Sequence, residues 1–158
     1  MSVLSFFAWC ENSPIGEAIR GSNWLFPVIE SFHLLGLAVI GGAVLLVDLR
    51  LLGIGVKRQP VAQLWRDMRP WLLASLTVML ISGMLLFTSE ATKLYYHGAF
   101  WVKMICLLLS IVFTFTVARA VALADPERVR PLWARTVAVI SILLWSGVGV
   151  GGRWIGFS

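Results

Sequence analysis

Four long apolar runs, at 24–52, 70–89, 99–122 and 135–155, leave this chain few ways to fold. Crossing the hydrocarbon core of a bilayer takes about 20 mostly apolar residues in a helix, and each run is long enough to cross with some tilt. Inside hydrocarbon a backbone must satisfy its own hydrogen bonds, and a single apolar segment does so by becoming an α-helix. Only 13% of the 158 residues are charged, about half the roughly 25% of an average soluble domain, and 59% are hydrophobic. An ordinary water-soluble core is excluded. So is a separate soluble catalytic domain, because four spans with short connections use nearly the whole length. The expected fold is all-α: one integral membrane domain over residues 1–158, a four-helix bundle with the lipid bilayer as its first partner.

Charge sets the expected orientation. Arg50, Lys57, Arg58, Arg66 and Arg69 surround the first connection, and Arg119, Arg128, Arg130 and Arg135 the third. By the positive-inside rule these loops are cytoplasmic, which puts the N-terminus, the 90–98 loop and the C-terminus outside. The other side carries only Arg20, Lys93 and Arg153. Aromatic residues repeat the division, with Trp24, Tyr95, Tyr96, Trp101 and Trp154 expected at the outer interface and Trp65, Trp71 and Trp133 at the inner one. The net charge of +5 is split between two short clusters beside apolar runs, a topology signal and not a nucleic-acid stripe. Residues 1–22 form an N-terminal interfacial segment. Its first ten residues lack the basic start of a signal peptide and are expected to be retained. Ser13 before Pro14 predicts a short interfacial helix from Pro14 to Arg20. Cys10 and Cys106 lie in different regions outside any CxxC or CxxCH motif, so neither a disulfide nor covalently attached haem is expected.

Ionisable residues inside a membrane are costly unless they face the bundle interior and find partners, so each is a functional candidate. They are Glu30, His33 and Asp48 on span one, Glu90 at the end of span two, Lys103 on span three and His97 just before it. At about 100° per residue, Glu30, Gly41 and Asp48 fall within roughly 20° of one direction and His33 about 60° away, a face expected to point inward. Lys103, Cys106, Ser110 and Thr114 follow helical spacing, a stripe that can set the lysine against span one. Ser75, Ser82 and Ser89 recur every seven residues on span two and lead to Glu90. Asp48 and Arg50 are expected to form a local ion pair at the headgroups. Glu30, His33, Glu90, His97 and Lys103 all belong to the outer half. A structural reading stands beside the functional one: Glu30 or Glu90 neutralises Lys103, and His33 hydrogen-bonds a neighbouring helix. Gly36, Gly41 and Gly42 on span one, with Gly147, Gly149, Gly151 and Gly152 on span four, suit close helix packing or the wall of a flat cofactor. Met79, Met84 and Met104 read as packing residues before copper ligands.

The segments IESFHLLGLAVIGGAVLLVDLRLLG (29–53) and SEATKLYYHGAFWVKM (89–104), with the opening WLFPVIE, resemble an uncharacterised family of small bacterial four-helix membrane proteins. The resemblance runs over nearly the whole chain and implies a multi-pass protein of the bacterial inner membrane. More distantly, a first-span histidine followed by small residues and a D-x-R-L ending, with a third span opening aromatic-x-K, is similar to HemJ-type protoporphyrinogen oxidases and CopD domains. That similarity implies His33 as a haem-ligand or metal-site histidine and Lys103 as its companion. Position 101 departs from the oxidase pattern, with Trp where a histidine often stands.

Three functional readings follow. The first is a membrane redox protein holding b-type haem in the outer half, with His33 as axial ligand and His97 or Lys103 opposite or nearby. Glu30 then hydrogen-bonds the imidazole or accepts protons, and Arg20 or Arg153 holds a propionate. Its partners are a quinone or a membrane or periplasmic redox protein, and an oligomer is compatible with it. The second is a copper, zinc or iron site built from Glu30, His33, Glu90 and His97. The third is a cofactor-free structural subunit. No phosphate-binding glycine loop, GxSxG elbow or HExxH motif occurs.

Overall fold

The computed structural model describes residues 2–55, 58–125 and 129–156. Lys57 and Arg128, assigned above to the basic loops, lie outside them. Six helices and no strands make up the described residues: α1 (Val3–Glu11), α2 (Pro14–Arg20), α3 (Leu25–Leu51), α4 (Val61–Tyr96), α5 (Gly98–Leu123) and α6 (Pro131–Ile155). The last four are long and apolar enough to cross a membrane. Each buries a minority of its most apolar stretch and leaves the rest of its surface apolar, with Leu35, Ile81, Leu108 and Leu143 all exposed. Exposed leucine and isoleucine on every long helix is the pattern lipid favours and water does not.

Around the bundle the helices follow the order α4, α3, α6, α5. α3 packs along α4, α5 along α6, and α3 against α6. Although consecutive, α4 and α5 meet little except where the last turn of α5, Arg119–Leu123, reaches α4. The core is concentrated at the end carrying the connections 52–60 and 124–130, here the basic end. There Ile40, Val47, Leu72 and Ala138 are almost fully buried. Trp65 is only 3% exposed and belongs to this core instead of the interfacial belt expected for it, whereas Trp71 and Trp133 are exposed. Arg50 turns to donate its Nε–H to the Gln59 carbonyl at 2.8 Å, and Gly53 and Gly55 take positive φ in the turn that follows.

α4 extends well beyond the expected 70–89 span in both directions. Pro70 sits inside the helix, next to exposed Arg66 and Arg69. The carbonyl it leaves without an N–H partner belongs to Arg66, near the basic end of the helix where water can reach it. At the other end the helix breaks at Glu90 (φ −138°, ψ 32°) and resumes to Tyr96.

The N-terminal helices hold that break. Ser13 caps α2 by accepting from the Gly16 N–H at 3.2 Å, with Pro14 in the first turn as the sequence predicts. α1 is an additional helix, capped by Ser2, that the apolar run alone did not announce. It wedges Phe7 among Phe87 of α4 and Phe100 and Trp101 of α5, with ring centroids 5.0, 6.2 and 5.9 Å away, closing the α4–α5 gap at this capped end. Cys10 is buried beside this cluster as a free thiol, and Cys106 is also free. The break frees backbone groups, and the N-terminal helices meet them. Arg20 donates to the Ser89 carbonyl at 3.1 Å, the Glu11 carboxylate accepts from the Thr92 N–H, and Gly16 lies against the Thr88 carbonyl. A Cβ on Gly16 would stand 2.5 Å from that carbonyl oxygen, so only glycine lets α2 approach this closely.

Hydrogen bonds from the Thr92 hydroxyl and N–H hold the Glu11 carboxyl below its ordinary value; Arg20 adds to the effect and burial opposes it. A carboxyl shifted down stabilises the folded form at pH values above its ordinary range and stops doing so as pH falls through the lowered value. Amide exchange at Thr92, corrected for intrinsic rates, should therefore accelerate in acid in the native protein. In Glu11→Gln it should already be faster at neutral pH, by the several-fold that loss of a cap of about 1 kcal/mol implies, and respond little to acid.

Candidate functional site

His33 is half-buried on α3, three residues before the first fully buried position, Gly36. Its Nδ1 lies 2.8 Å from the Ser82 Oγ of α4, and that hydroxyl is 2.6 Å from the Val78 carbonyl one turn earlier. A serine has one hydrogen. With it directed to Val78, Ser82 accepts, His33 donates from Nδ1, and Nε2 keeps its lone pair. The ring lies over Gly83: a Cβ there would come within 3.2 Å of the imidazole Cε1. Ser82 was part of the seven-residue serine pattern. Gly83 was not singled out, and a glycine following a polar position facing a histidine is the signal that finds it.

Lys103 of α5 is also half-buried, and its charge reaches His33. Its stem runs along α6, where Cβ atoms on Gly151 and Gly152 would meet its Cβ at 3.1 Å and its Nζ at 3.4 Å. One turn further, a Cβ on Gly147 would lie 3.0 Å from the Cys106 Sγ, and further still the Trp145 indole donates to the Thr114 hydroxyl at 3.0 Å. Lys103, Cys106 and Thr114 of the stripe thus pack along α6, whose glycines let α5 approach closely, while the charge of Lys103 still reaches His33 of α3. Gly36 has the same function between α3 and α4, with Met79 3.0 Å from its would-be Cβ, while Gly41, Gly42 and Gly149 face open space. Met79 is buried packing, and Met84 and Met104 are exposed.

The other candidates stand apart from this pair. Glu30 is exposed, because α3 contributes no buried residue before Gly36. Glu90, at the helix break, pairs with Lys93 at 3.9 Å on the surface, so it does not neutralise Lys103. His97 forms the corner between α4 and α5, with its Nδ1 buried and without a hydrogen-bond partner. Arg20 is engaged with Ser89, and Arg153 is exposed near the end of α6. Among the described residues no three His, Cys, Asp or Glu side chains gather closely enough to hold a metal ion.

The expected Asp48–Arg50 ion pair does not form. Residues two apart on a helix project to opposite sides. Arg50 turns out to Gln59, while Asp48 turns into the bundle, where it is 1% exposed and set against the Ser141 hydroxyl.

A family model matches residues 6–158, nearly the whole chain. The chain belongs to DUF6644, a family of unknown function. No curated protein and no solved structure matches it. Membership in DUF6644 bears out the resemblance to an uncharacterised family and supplies no chemistry, so function rests on the site itself.

The α5–α6 contact at Lys103 predicts a stability effect. Gly151→Leu should force the two helices apart and lower the thermal midpoint in detergent, at a cost of about 1–3 kcal/mol for overpacking. Gly149→Leu, pointing into open space, should leave the midpoint nearly unchanged.

Proposed function

We propose that this chain is a multi-pass redox protein of the bacterial inner membrane, with the capped end and both termini outside, that binds b-type haem through His33. The observation that carries the reading is the imidazole itself: a half-buried histidine whose Nδ1 is held by the Ser82 hydroxyl, beside a hydrogen bond of the ring to the Met79 backbone, so that Nε2 is the nitrogen to bind when Nδ1 carries the hydrogen. Metal-binding histidines are commonly oriented in this way, by a hydrogen bond at the other ring nitrogen. A bare zinc or copper ion needs three or four protein ligands, whereas a haem brings four nitrogens and asks the protein for one or two. One oriented histidine without a convergent Glu/His set therefore fits haem better than a free ion. The similarity of the His33 and Lys103 segments to HemJ-type and CopD proteins points the same way.

Bound here, a b-type haem supplies one-electron redox chemistry. Ser82 holds the imidazole against rotation, and Gly83 leaves room beside its ring. Lys103, without a carboxylate partner among the described residues, would supply a cation for a propionate or a second ligand. His97 and Arg153 stand nearer the capped end, where Arg153 offers a second cation. Glu30, exposed one turn before His33, accepts protons released toward that end when the electron donor is a quinol.

The test is a reduced-minus-oxidised visible spectrum of detergent-purified protein, made with haem supplied, alongside metal analysis. A b-type spectrum lost in His33→Ala and broadened or shifted in Ser82→Ala is the expected result. A colourless native protein sinks the reading: stoichiometric copper, zinc or iron would then favour a Glu/His metal site, and no metal a cofactor-free subunit.

A further inference from the structure

Away from His33, toward the basic end, Asp48 is the one charged side chain buried in the core among the described residues, at 1% exposure. The Ser141 hydroxyl of α6 faces it, and its Oδ2 has no hydrogen-bond partner. The core of this region is apolar, and Val44, Val47 and Leu51 on its own helix, Leu64 and Leu72 of α4 and Ala138 of α6 all belong to it. Among the described residues no cation answers it: on its own helix Arg50 is turned to Gln59, and Arg58 in the connection that follows, Arg66, Asp67 and Arg69 on α4, Arg119 on α5, Arg130 just before α6 and Arg135 on it are all exposed. A buried carboxylate without a counter-charge is costly, and conversion to the acid removes that cost.

α5 makes a π-turn at Thr114–Ala118, a backbone irregularity common at functional sites. It presents the buried Thr114 hydroxyl to Trp145, one turn along α6 from Ser141. Fully buried Ser110 continues the hydroxyl line toward Lys103. Asp48 lies three residues, about 4.5 Å of helix rise, before the end of α3 at Leu51, so the basic end is its nearer route to water.

We propose that Asp48 is a proton-binding site of the bundle, loaded from water at the basic end. In loading, one carboxylate oxygen takes a proton from hydronium and leaves water; in release, the same O–H bond breaks toward the same side. Ser141 holds the carboxyl in position in both forms. The site does not depend on the haem reading, and its failure and that reading's failure are seen in different signals.

Infrared spectroscopy of the full chain in detergent, in H2O and D2O across a pH series, tests it. The expected result is a carboxylic-acid C=O band that shifts on deuteration, varies with pH, disappears in Asp48→Asn and moves in Ser141→Ala, which keeps the carboxyl but removes its hydroxyl neighbour. If Asp48→Asn does not fold, the Ser141→Ala shift together with carbon-13 labelling of aspartate makes the assignment. Identical carboxyl regions in native, Asp48→Asn and Ser141→Ala proteins would overturn the proposal, as would a band that does not shift after prolonged incubation in D2O.

Discussion

Hydrocarbon offers no hydrogen bonds, so every polar group carried into it must be answered from within the chain, and most of this structure is the working out of that requirement. Serines and threonines on the long helices donate to carbonyls of their own preceding turn, as Ser75 does to Trp71 and Ser110 to Cys106. The broken turn at Glu90 is answered from outside its helix by Glu11 and Arg20. The groups that the chain does not fully answer are few. His33 is held by the Ser82 hydroxyl at Nδ1, Lys103 meets no carboxylate among the described residues, and Asp48 keeps an oxygen without a partner. These are where chemistry has room.

Small residues decide which of those groups can meet. Gly147 and Gly151 draw α6 onto α5 and carry Lys103 with them; Gly36 draws α3 onto α4; Gly83 receives the His33 ring. α4 and α5 lack such a seam near the capped end, and Phe7 fills the space between them. The N-terminal helices thus complete the bundle, and the latch at Glu11 and Arg20 holds them to it.

Hydropathy made the four long helices legible, since a run of some 20 apolar residues has one stable form in lipid. The Ser13–Pro14 start of α2 was legible for a local reason, capping chemistry. Helix ends were not. α4 passes through Pro70 and past Ser89, because an exposed turn tolerates a missing N–H and because the break at Glu90 is repaired by residues far away in sequence. Periodicity found the Lys103 stripe but not its partner, as spacing along one helix says which residues share a face and not which helix covers it. The same limit hid Asp48: its pairing with Arg50 looked natural in sequence, yet two residues apart they point opposite ways, and only the packing of α3 on α6 shows which one is buried. Glu30 shares Asp48's direction but lies beyond the packed part of α3.

On this account the two halves of α3 carry different tasks, with His33 toward the capped end as the ligand and Asp48 toward the basic end as the proton site. The central claim is that one oriented imidazole holds one cofactor. It is tested most directly by quantifying haem, as its pyridine complex, against chain concentration in protein purified from haem-replete membranes. Close to one b-type haem per chain is expected. Only traces of haem in folded, monodisperse protein would contradict it.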